Sequence, residues 1–281
     1  RSATSPVAFL NVTVNNATGS TLTAARGTTF TSTVDGTTYN YLVKDATTIS
    51  PVDGVYTFSS LPVYEGTLVT NKYTVDTSNA DQRFLIKNDL ADTTTLKVTV
   101  QNSSSDSTSN TYTLSTDLAD VTSTSKVYYL EGAEDNQYEV KFGDGVLGAA
   151  LSTGNIVTLS YIVTNAEESN GASSFSLSGN LGGFSNVTIT TATNSANGAQ
   201  PETPDSIRFN APRQYASQNR TVTAKDYESK VKSIFTNAQS VQVWGGEDND
   251  TPVYGRVYIS IKPVAGATLT EATKTDIINK L

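Results

Sequence analysis

The stretch YYLEGAEDNQYEVKFGDGVLGAALSTGNIVTLSYIV, residues 128–163, contains the two clearest strand patterns of the chain. Apolar and polar residues alternate over residues 138–142 (YEVKF), which predicts a half-buried strand. The next three residues, GDG, predict a turn because glycine adopts positive φ freely and aspartate is common in turns. A more apolar strand is predicted over residues 156–163. The whole pattern therefore predicts a hairpin with a glycine-rich turn.

The composition of the 281-residue chain favours strands over helices. Only 37% of the residues are hydrophobic and 16% are charged, and threonine, serine, asparagine and glycine fill the balance. Residues 1–125 predict short strands separated by turns, including the hairpin signals Asp35-Gly36 and Asp53-Gly54. We interpret this part as a β-sandwich-like accessory domain.

A long segment rich in serine, glycine and asparagine extends from residue 165 to residue 204. It predicts surface loops or an extended arm, with one strand at residues 187–190. Its apolar residues include Phe175 and Phe184, and exposing them to water would be unfavourable. We therefore expect some of these apolar residues to contact another part of an assembly, with Phe175 and Phe184 as the candidates.

The C-terminal part predicts a helix, two strands and a second helix. Thr223 is a candidate N-cap for a helix whose apolar residues at positions 227, 231, 234 and 235 share one face. Strands are predicted at residues 240–244 and 255–261, and a second helix over residues 268–281. The predicted fold class is mainly β with a C-terminal α+β domain, in which short-strand β modules precede a helix-strand-strand-helix layer.

These elements predict a multi-domain chain. Residues 1–125 are the accessory domain, residues 126–210 a β core with the FGDG hairpin and the long loop or arm, and residues 211–281 the α+β domain. The last helix reaches the end of the sequence and no initiator methionine is present. We therefore expect a fragment whose C-terminal domain is truncated.

The composition argues against several classes of function. Without His or Cys, the chain cannot build a Ser-His-Asp relay, a cysteine nucleophile or a typical zinc site. A net charge of −8 argues against nucleic acid, because phosphate contacts need clustered Lys and Arg. The sequence has no run of about 20 apolar residues, so no membrane span is predicted. We expect no cofactor and no metal, and interpret the acidic loop at residues 247–250 as a solvated turn rather than a calcium site.

Two blocks of sequence together carry a family resemblance. The first is KFGDGVLG at residues 141–148 with the strand that ends near Tyr161, and the second comprises Glu202, Arg208, TAKDYE at residues 223–228 and GRVYI at residues 255–259. In combination they resemble baseplate J-like proteins, which are structural wedge subunits in the baseplates of contractile phage tails and related injection machines. The resemblance covers roughly residues 126–281.

The resemblance implies a late, virion-located structural protein and not an enzyme. Such a subunit would bind itself, expected as a homodimer, and would bind other baseplate wedge proteins during assembly in the host cytoplasm. It would help to form the ring around the tail tube and take part in the rearrangement that precedes sheath contraction.

Six residues are candidate contacts with partners: Arg208, Arg213, Arg220, Trp244, Phe175 and Phe184. The arginines belong to a basic cluster in an acidic chain, which is either a solvated helix face or a docking surface for an acidic neighbour. Trp244 is the only tryptophan, and it is either a buried core residue or an anchor that faces a partner.

An alternative function is a β-sandwich adhesin or carbohydrate-binding module. It would account for the abundance of Thr, Ser, Asn and Tyr, but not for the helices and strands after residue 221. A hydrolase that uses paired carboxylates among Glu131, Glu134 and Asp135 is a more distant third, because the sequence identifies no second carboxylate at the required distance.

Overall fold

The chain folds into two compact units. The computed structural model describes residues 1–15, 18–135, 137–217, 220–235, 238–263, 268–269 and 271–281, with some side chains in two C-terminal helices outside that description. Unit 1 is Arg1–Pro201 and unit 2 is Glu202–Leu281. Unit 1 is built of strands, and the α-helices of the described residues all lie in unit 2. The predicted mainly β fold with a C-terminal α+β region is confirmed.

Unit 1 contains fifteen strands in the described residues. They are β1 (Val7–Asn15), β2 (Leu22–Ala24), β3 (Thr29–Val34), β4 (Thr37–Val43), β5 (Thr47–Ile49), β6 (Val55–Glu65), β7 (Thr67–Thr74), β8 (Phe84–Ile86), β9 (Ala91–Gln101), β10 (Ser109–Leu114), β11 (Val127–Gly132), β12 (Tyr138–Phe142), β13 (Ile156–Val163), β14 (Ser176–Ser178) and β15 (Thr188–Ala196).

Six of these strands form sheet 1, in the order β14-β3-β4-β6-β1-β15, with antiparallel neighbours. The predicted turn at Asp35-Gly36 joins β3 to β4, and both residues adopt positive φ. Alternate residues of β1 are buried in the core on one face of this sheet, as the period of a strand requires. The short strands β2 and β5 pair with each other and add Leu22 and Ala24 to the same core.

Seven other strands form sheet 2, in the order β7-β13-β9-β10-β11-β12-β8. Its two edge strands meet, because the hydroxyl of Tyr73 on β7 donates to the backbone oxygen of Leu85 on β8 at 2.7 Å. The ring of Tyr73 also packs edge-to-face on Phe84, with centroids 5.6 Å apart. Sheet 2 therefore curls around its own core, which includes Ile86, Val98, Tyr128, Val140, Val157 and Leu159.

The prediction that the strands on either side of the FGDG turn, β12 and β13, pair as a hairpin is wrong. Strand β12 pairs with β11 and β8, whereas β13 pairs with β7 and β9. The loop between β12 and β13 spans residues 143–155, which is long enough for β13 to reach a distant position in the same sheet. Hydrogen bonds to the neighbouring loop, described below, replace the cross-strand pairing of a hairpin.

In the sequence, the whole segment that forms sheet 2 lies between the two segments that form sheet 1. Sheet 2 is built from residues 67–163, whereas sheet 1 is built from residues 7–65 and 176–196. Strands from both sides of residue 125 therefore share each sheet, and the compact units do not follow the boundary expected there. The boundary between the units lies after residue 201, ahead of the one expected after residue 210.

The segment expected to form an arm completes the core of sheet 1 instead. It supplies β14 and β15, the two edge strands of that sheet. Ala172, Phe175 and Leu181 are buried in the sheet 1 core, and Leu177 and Phe184 pack against it. The apolar residues of this segment are thus shielded from water by the chain's own fold.

Unit 2 contains three helices and a two-stranded sheet in the described residues. They are α1 (Pro204–Ser217), α2 (Ala224–Ile234), β16 (Ala238–Gly245), β17 (Val257–Pro263) and α3 (Glu271–Lys280). Val231, Phe235 and Ile277 are buried between the helices and the strands, with Ile259 and Ile261 partly buried beside them. The predicted order of helix, strand, strand and helix is observed, whereas helix α1 was not predicted.

The N-terminus of α2 has the cap that the sequence predicts. The backbone N–H of Asp226 donates to Thr223 Oγ1 at 3.3 Å, and the backbone N–H of Thr223 donates to Asp226 Oδ2 at 2.9 Å. This reciprocal capping box satisfies two backbone donors at the first turn. The accepted bonds lower the pKa of the Asp226 carboxyl, because they favour its charged form.

Replacing Thr223 by alanine is expected to destabilise unit 2 by about 1 kcal/mol, because the side-chain acceptor is lost. For a unit of this size we expect the midpoint of thermal unfolding to fall by roughly 4 to 8 °C. Trp244 is the only tryptophan and lies in unit 2, so its fluorescence reports this transition. Thr251→Ala, at an exposed loop threonine of the same unit, is the matched control and should leave the midpoint unchanged.

The same cap gives unit 2 an acid-sensitive component of stability. Because the pKa of Asp226 is lower in the folded state than in the unfolded state, its contribution is present near neutral pH. We expect it to be lost as the pH falls below about 4, the pKa of an unperturbed aspartate. Asp226→Asn should therefore shift the tryptophan transition at pH 7 more than at pH 3, and equal shifts at both would contradict this assignment.

None of the described helices is long and apolar enough to cross a membrane.

Candidate interaction surfaces

The two phenylalanines predicted to contact a partner lie against the chain's own core. Phe175 is only 8% exposed and packs edge-to-face on Tyr41, with ring centroids 4.9 Å apart. Phe184 is partly buried and lies 6.1 Å from the ring of Tyr56. Little apolar surface of Phe175 is therefore left for a partner, whereas part of the surface of Phe184 stays accessible.

Trp244 lies on β16 in a half-buried position. Its ring stacks on Tyr258 of β17 with centroids 5.9 Å apart and an angle of 12° between the ring planes. Its Nε1–H donates to Asn249 Oδ1 at 2.8 Å. The indole therefore fixes the loop between the two strands to the hairpin, and part of its surface stays accessible. Both of the roles considered for Trp244 are compatible with this placement.

The basic cluster follows helix α1 and the start of α2. Arg208 is exposed on α1, where its guanidinium lies 3.0 Å from the carboxylate of Asp205. Arg220 is exposed between the two helices, and Arg213 lies within α1 with its side chain outside the described residues. An exposed ion pair of this kind contributes little to stability. Arg208 and Arg220 therefore lie at the surface, a position that fits both a solvated helix face and a docking surface for an acidic neighbour.

The glycine-rich loop after β12 is rigidly built. Asp144 Oδ1 accepts the backbone N–H groups of Val146 and Leu147, both at 2.9 Å. These bonds lower the pKa of the Asp144 carboxyl, because they stabilise its charged form. At Gly143, a Cβ atom would lie 2.2 Å from the carbonyl carbon of Gly148, so no other residue fits without moving the backbone. The GDG motif therefore fixes the loop's shape.

Residues 143–150 are also attached to the loop between β10 and β11. The backbone N–H of Gly148 donates to the oxygen of Thr122 at 3.1 Å, and that of Ala149 donates to the oxygen of Ser125 at 2.8 Å. The two loops consequently form one surface at an end of sheet 2. We call this surface the loop pair, comprising residues 115–126 and 143–150.

The junction between the two sheets of unit 1 contains a buried carboxylate that sequence analysis missed. Glu65 is completely buried where β6 ends. Its oxygens accept Thr164 Oγ1–H at 2.5 Å, the backbone N–H of Asn165 at 3.0 Å and Asn165 Nδ2–H at 2.7 Å. Glu65 thus joins the segment that leaves sheet 1 to the segment that returns from sheet 2. The sequence gives one indication of this buried position, namely a charged residue that stands between a long strand and a glycine.

Further polar contacts hold the two sheets together. The guanidinium of Arg26 donates to backbone oxygens of Lys44, Thr95 and Ser160 and so connects β9 and β13 with the end of β4. The carboxylate of Asp92, which is buried, accepts the backbone N–H of Ser5 at 2.9 Å. Burial lowers the pKa of Arg26, with Asp45 opposing that shift. These contacts make the junction between the sheets polar and specific.

The described residues contain no group of three or more His, Cys, Asp or Glu side chains placed to hold a metal ion. Of the carboxylates considered for hydrolysis, Glu131 lies 2.6 Å from Lys141 across β11 and β12. Glu134 and Asp135 lie in the exposed turn that follows β11. The acidic residues at 247–248 belong to a short 3-10 turn next to Trp244.

Comparison with known proteins points to phage baseplates. Residues 223–281 match the family described as "Baseplate structural protein gp6, C-terminal domain I". The chain is 29% identical over 185 residues to "Baseplate wedge protein gp6" of Enterobacteria phage T4, an alignment that covers 57% of this chain and 27% of that protein. The aligned part thus spans about a quarter of the length of that relative.

A solved structure also matches, namely the cryo-EM structure of the anti-feeding prophage (AFP) baseplate, 6-fold symmetrised. The match covers 86% of this chain and 44% of that chain, with 11% identity and a TM-score of 0.28. A TM-score this low carries no argument about the fold. The narrower relationship to baseplate J-like proteins stays a prediction. The sequence comparisons support a baseplate wedge-like protein, similar to a gp6 C-terminal domain over residues 223–281.

Proposed function

We propose that this chain is a non-enzymatic structural subunit of a contractile tail baseplate, a component of the wedge. The observation that carries the proposal is the match of residues 223–281 to a baseplate structural domain, together with 29% identity to a wedge protein over 185 residues. In this role the chain lies in the baseplate of the virion and acts through its interfaces with other subunits. It takes part in the ring around the tail tube and in its rearrangement on infection.

The distribution of exposed apolar side chains supports an assembly role for unit 2. Twelve large hydrophobic residues are exposed among the described residues, and six of them lie in unit 2: Ile207, Tyr215, Val222, Tyr254, Val257 and Ile278. Unit 2 has 80 of the 281 residues, so its surface is enriched in apolar groups. Concentrations of this kind mark sites of protein association.

The build of unit 1 supports a different part of the same role. A subunit that must transmit movement needs a body that does not deform, and Glu65, Arg26 and Asp92 hold the two sheets of unit 1 to each other. We propose that unit 1 moves as one body during rearrangement. Self-association, expected as a homodimer, and binding to other wedge proteins complete the proposal.

The location in the particle is the direct test. We expect antibodies against this chain to label the baseplate end of the tail in electron micrographs of the phage that encodes it. Deletion of the gene should give particles without assembled baseplates, because a missing structural subunit stops assembly. As a control for expression, the chain carrying Val52→Ser, a change at an exposed residue of unit 1, is supplied to the deletion strain, where it should restore normal tails. Normal tails in the deletion strain would contradict the proposal.

A further inference from the structure

Exposed apolar side chains of unit 1 are concentrated at the loop pair. Among the described residues of unit 1, six large hydrophobic side chains are exposed, and four of them lie in the loop pair or directly before it: Leu114, Leu118, Val146 and Leu147. Val146 is 70% exposed and Leu118 is 54% exposed. Single exposed apolar residues need no explanation, but a concentration of them on one surface marks a site of association. This end of sheet 2 therefore has the composition of an interface.

Strand register brings the two loops together. Tyr128, near the start of β11, pairs with Leu114 at the end of β10 on one side and with Phe142, the last residue of β12, on the other. Because β11 and β12 are antiparallel, the segment that enters β11 lies beside the loop that leaves β12. Leu114 is in the same row of paired residues.

Backbone hydrogen bonds place Leu118 in the same region. The N–H of Val121 donates to the oxygen of Leu118 at 3.3 Å and closes a turn. The next residue, Thr122, accepts the N–H of Gly148 at 3.1 Å, and Gly148 directly follows Leu147. Leu118 and Leu147 thus lie on either side of one hydrogen bond between the loops, although they are far apart in the sequence.

The loop after β12 is ordered without a partner. The two N–H groups that Asp144 accepts belong to Val146 and Leu147, so these residues have a fixed backbone. The phenol of Tyr129 also donates to the backbone oxygen of Leu147 at 3.3 Å. A surface that is already ordered loses little conformational entropy on binding, so more of the contact energy appears as affinity.

The charge around these apolar residues is negative. Asp117 and Asp120 flank Leu118 in the chain, and Asp144 lies in the attached loop, where all three carboxylates are exposed. The loop pair contains a single basic residue, Lys126, which is also exposed. An apolar surface with an acidic rim fits an apolar surface with a basic rim, because opposite charges steer association and exclude wrong partners.

The net charge of the chain argues against a second copy as the occupant of this surface. Residues 1–201 contain eighteen acidic and nine basic residues, and the whole chain has a net charge of −8. A second copy would therefore bring further negative charge to the three aspartates, which opposes association. We assign the expected contact between copies to other surfaces of the chain.

We propose that the loop pair, together with Leu114, binds a segment of a different protein of the tail, in which apolar side chains are flanked by lysine and arginine. The apolar residues form the centre of the contact and the aspartates form its rim, which is the usual arrangement of an interface. The inference rests on the proposed function and deepens it, because it names the surface that binds another subunit and the chemistry of that subunit.

The chain contains no cysteine, so a single introduced thiol reports whether the loop pair is covered. The chain carrying Val146→Cys is supplied to the deletion strain, and its reaction with a maleimide is compared between the isolated chain and purified tails. We expect the reaction in tails to be slower by roughly tenfold or more, because the reagent reaches the thiol only while the contact is open. Val52→Cys, at a valine of unit 1 that is 73% exposed, is the matched control and should react equally fast in both.

A cross-linking reagent identifies the partner. Thr116→Cys places a thiol beside Asp117 at the rim, and a reagent with one maleimide and one amine-reactive ester connects this thiol to a nearby lysine. We expect mass spectrometry of purified tails to find the link on a lysine of a different tail protein. Adding Asp120→Lys should lower the yield of that link severalfold, whereas Asp81→Lys, at an exposed aspartate elsewhere in unit 1, should leave it unchanged.

All of these substitutions are at exposed residues, so each isolated variant should keep the wild-type unfolding temperature. Three results would overturn the inference: a thiol at position 146 that reacts as fast in tails as in the isolated chain, an equal slowing at position 52, and cross-links that are absent or confined to this chain. If antibodies do not find the chain in the baseplate, the proposed function itself fails. If they label the baseplate while the thiol at position 146 stays reactive, the proposed function stands and this interface does not.

Discussion

Gly66→Ala is expected to destabilise unit 1 by about 3 kcal/mol or more, because a positive φ and a close approach of backbone coincide at this position. Gly66 has φ +130°, a conformation that side chains rarely adopt. An added Cβ would also lie 2.4 Å from the backbone oxygen of Val163 and 2.5 Å from Ile162 Cγ2. Backbone strain and the displacement of β13 therefore act together at the point where the chain enters sheet 2.

Thermal unfolding followed by far-UV circular dichroism measures this effect, because most strands belong to unit 1. For a unit of this size, a loss of about 3 kcal/mol in the free energy of unfolding lowers the midpoint of thermal unfolding by roughly 6 to 12 °C. Gly154→Ala is the matched control, since Gly154 has φ +90° and nothing within 4 Å of an added Cβ. In this control, backbone strain alone should lower the free energy of unfolding, by about 1 kcal/mol. Equal shifts for the two variants would contradict a role for the close approach at Gly66.

Glu65→Ala is expected to destabilise unit 1 by about 1 to 3 kcal/mol, because it removes the carboxylate that accepts from the buried hydroxyl of Thr164 and from two amide groups of Asn165. The hydroxyl of Thr164 would stay buried and lose its acceptor, whereas the amides of Asn165, an exposed residue, can bond to water instead. Each buried donor left without an acceptor costs about 1 to 3 kcal/mol. The same circular dichroism transition reports the loss.

Two further variants separate the hydrogen bonds at this site from the volume of the side chain. Glu65→Gln keeps the size but replaces one acceptor oxygen by a donor, so we expect an intermediate loss. Glu167→Ala removes an exposed glutamate from the returning segment and should change stability by less than about 0.5 kcal/mol. If Glu65→Ala unfolded at the wild-type temperature, the carboxylate would not hold the two segments together.

Local structure was predictable where a few neighbouring residues decide it. Asp35-Gly36 forms the turn between β3 and β4, because its two residues tolerate positive φ. Thr223 and Asp226 begin α2 through hydrogen bonds within one turn. The strands β12, β13, β16 and β17 also lie where apolar alternation predicts them, with ends that differ by a few residues.

Long-range pairing was not predictable, because periodicity identifies a strand without naming its neighbours. The GDG turn indicated a hairpin, yet β13 lies between β7 and β9 in sheet 2. Glu65 and Gly66, where the chain passes from sheet 1 to sheet 2, make their contacts with residues about 100 positions further along the chain, so no local pattern reveals them. Helix α1 was missed because its apolar residues share no clear face and Pro212 lies within it.

The predicted interface residues also differ in whether neighbouring residues or distant ones decide their exposure. Arg208 and Arg220 are exposed, as expected of charged side chains in a polar segment. Phe175 lies in a segment so rich in serine and glycine that a buried position could not be read from its neighbours, and the core it joins comes from strands more than 100 residues away.

The insertion of sheet 2 has a consequence for synthesis on the ribosome. Strands β1, β3, β4 and β6 can pair as soon as residue 65 emerges, but the strands that cover their two edges, β14 and β15, follow more than 100 residues later. At about 5 to 20 residues per second, the nascent chain therefore spends on the order of ten seconds with both edges of a four-stranded sheet open. Open edges recruit strands from other chains. Delayed edge closure thus makes the newborn protein most prone to aggregation while sheet 2 is still being translated.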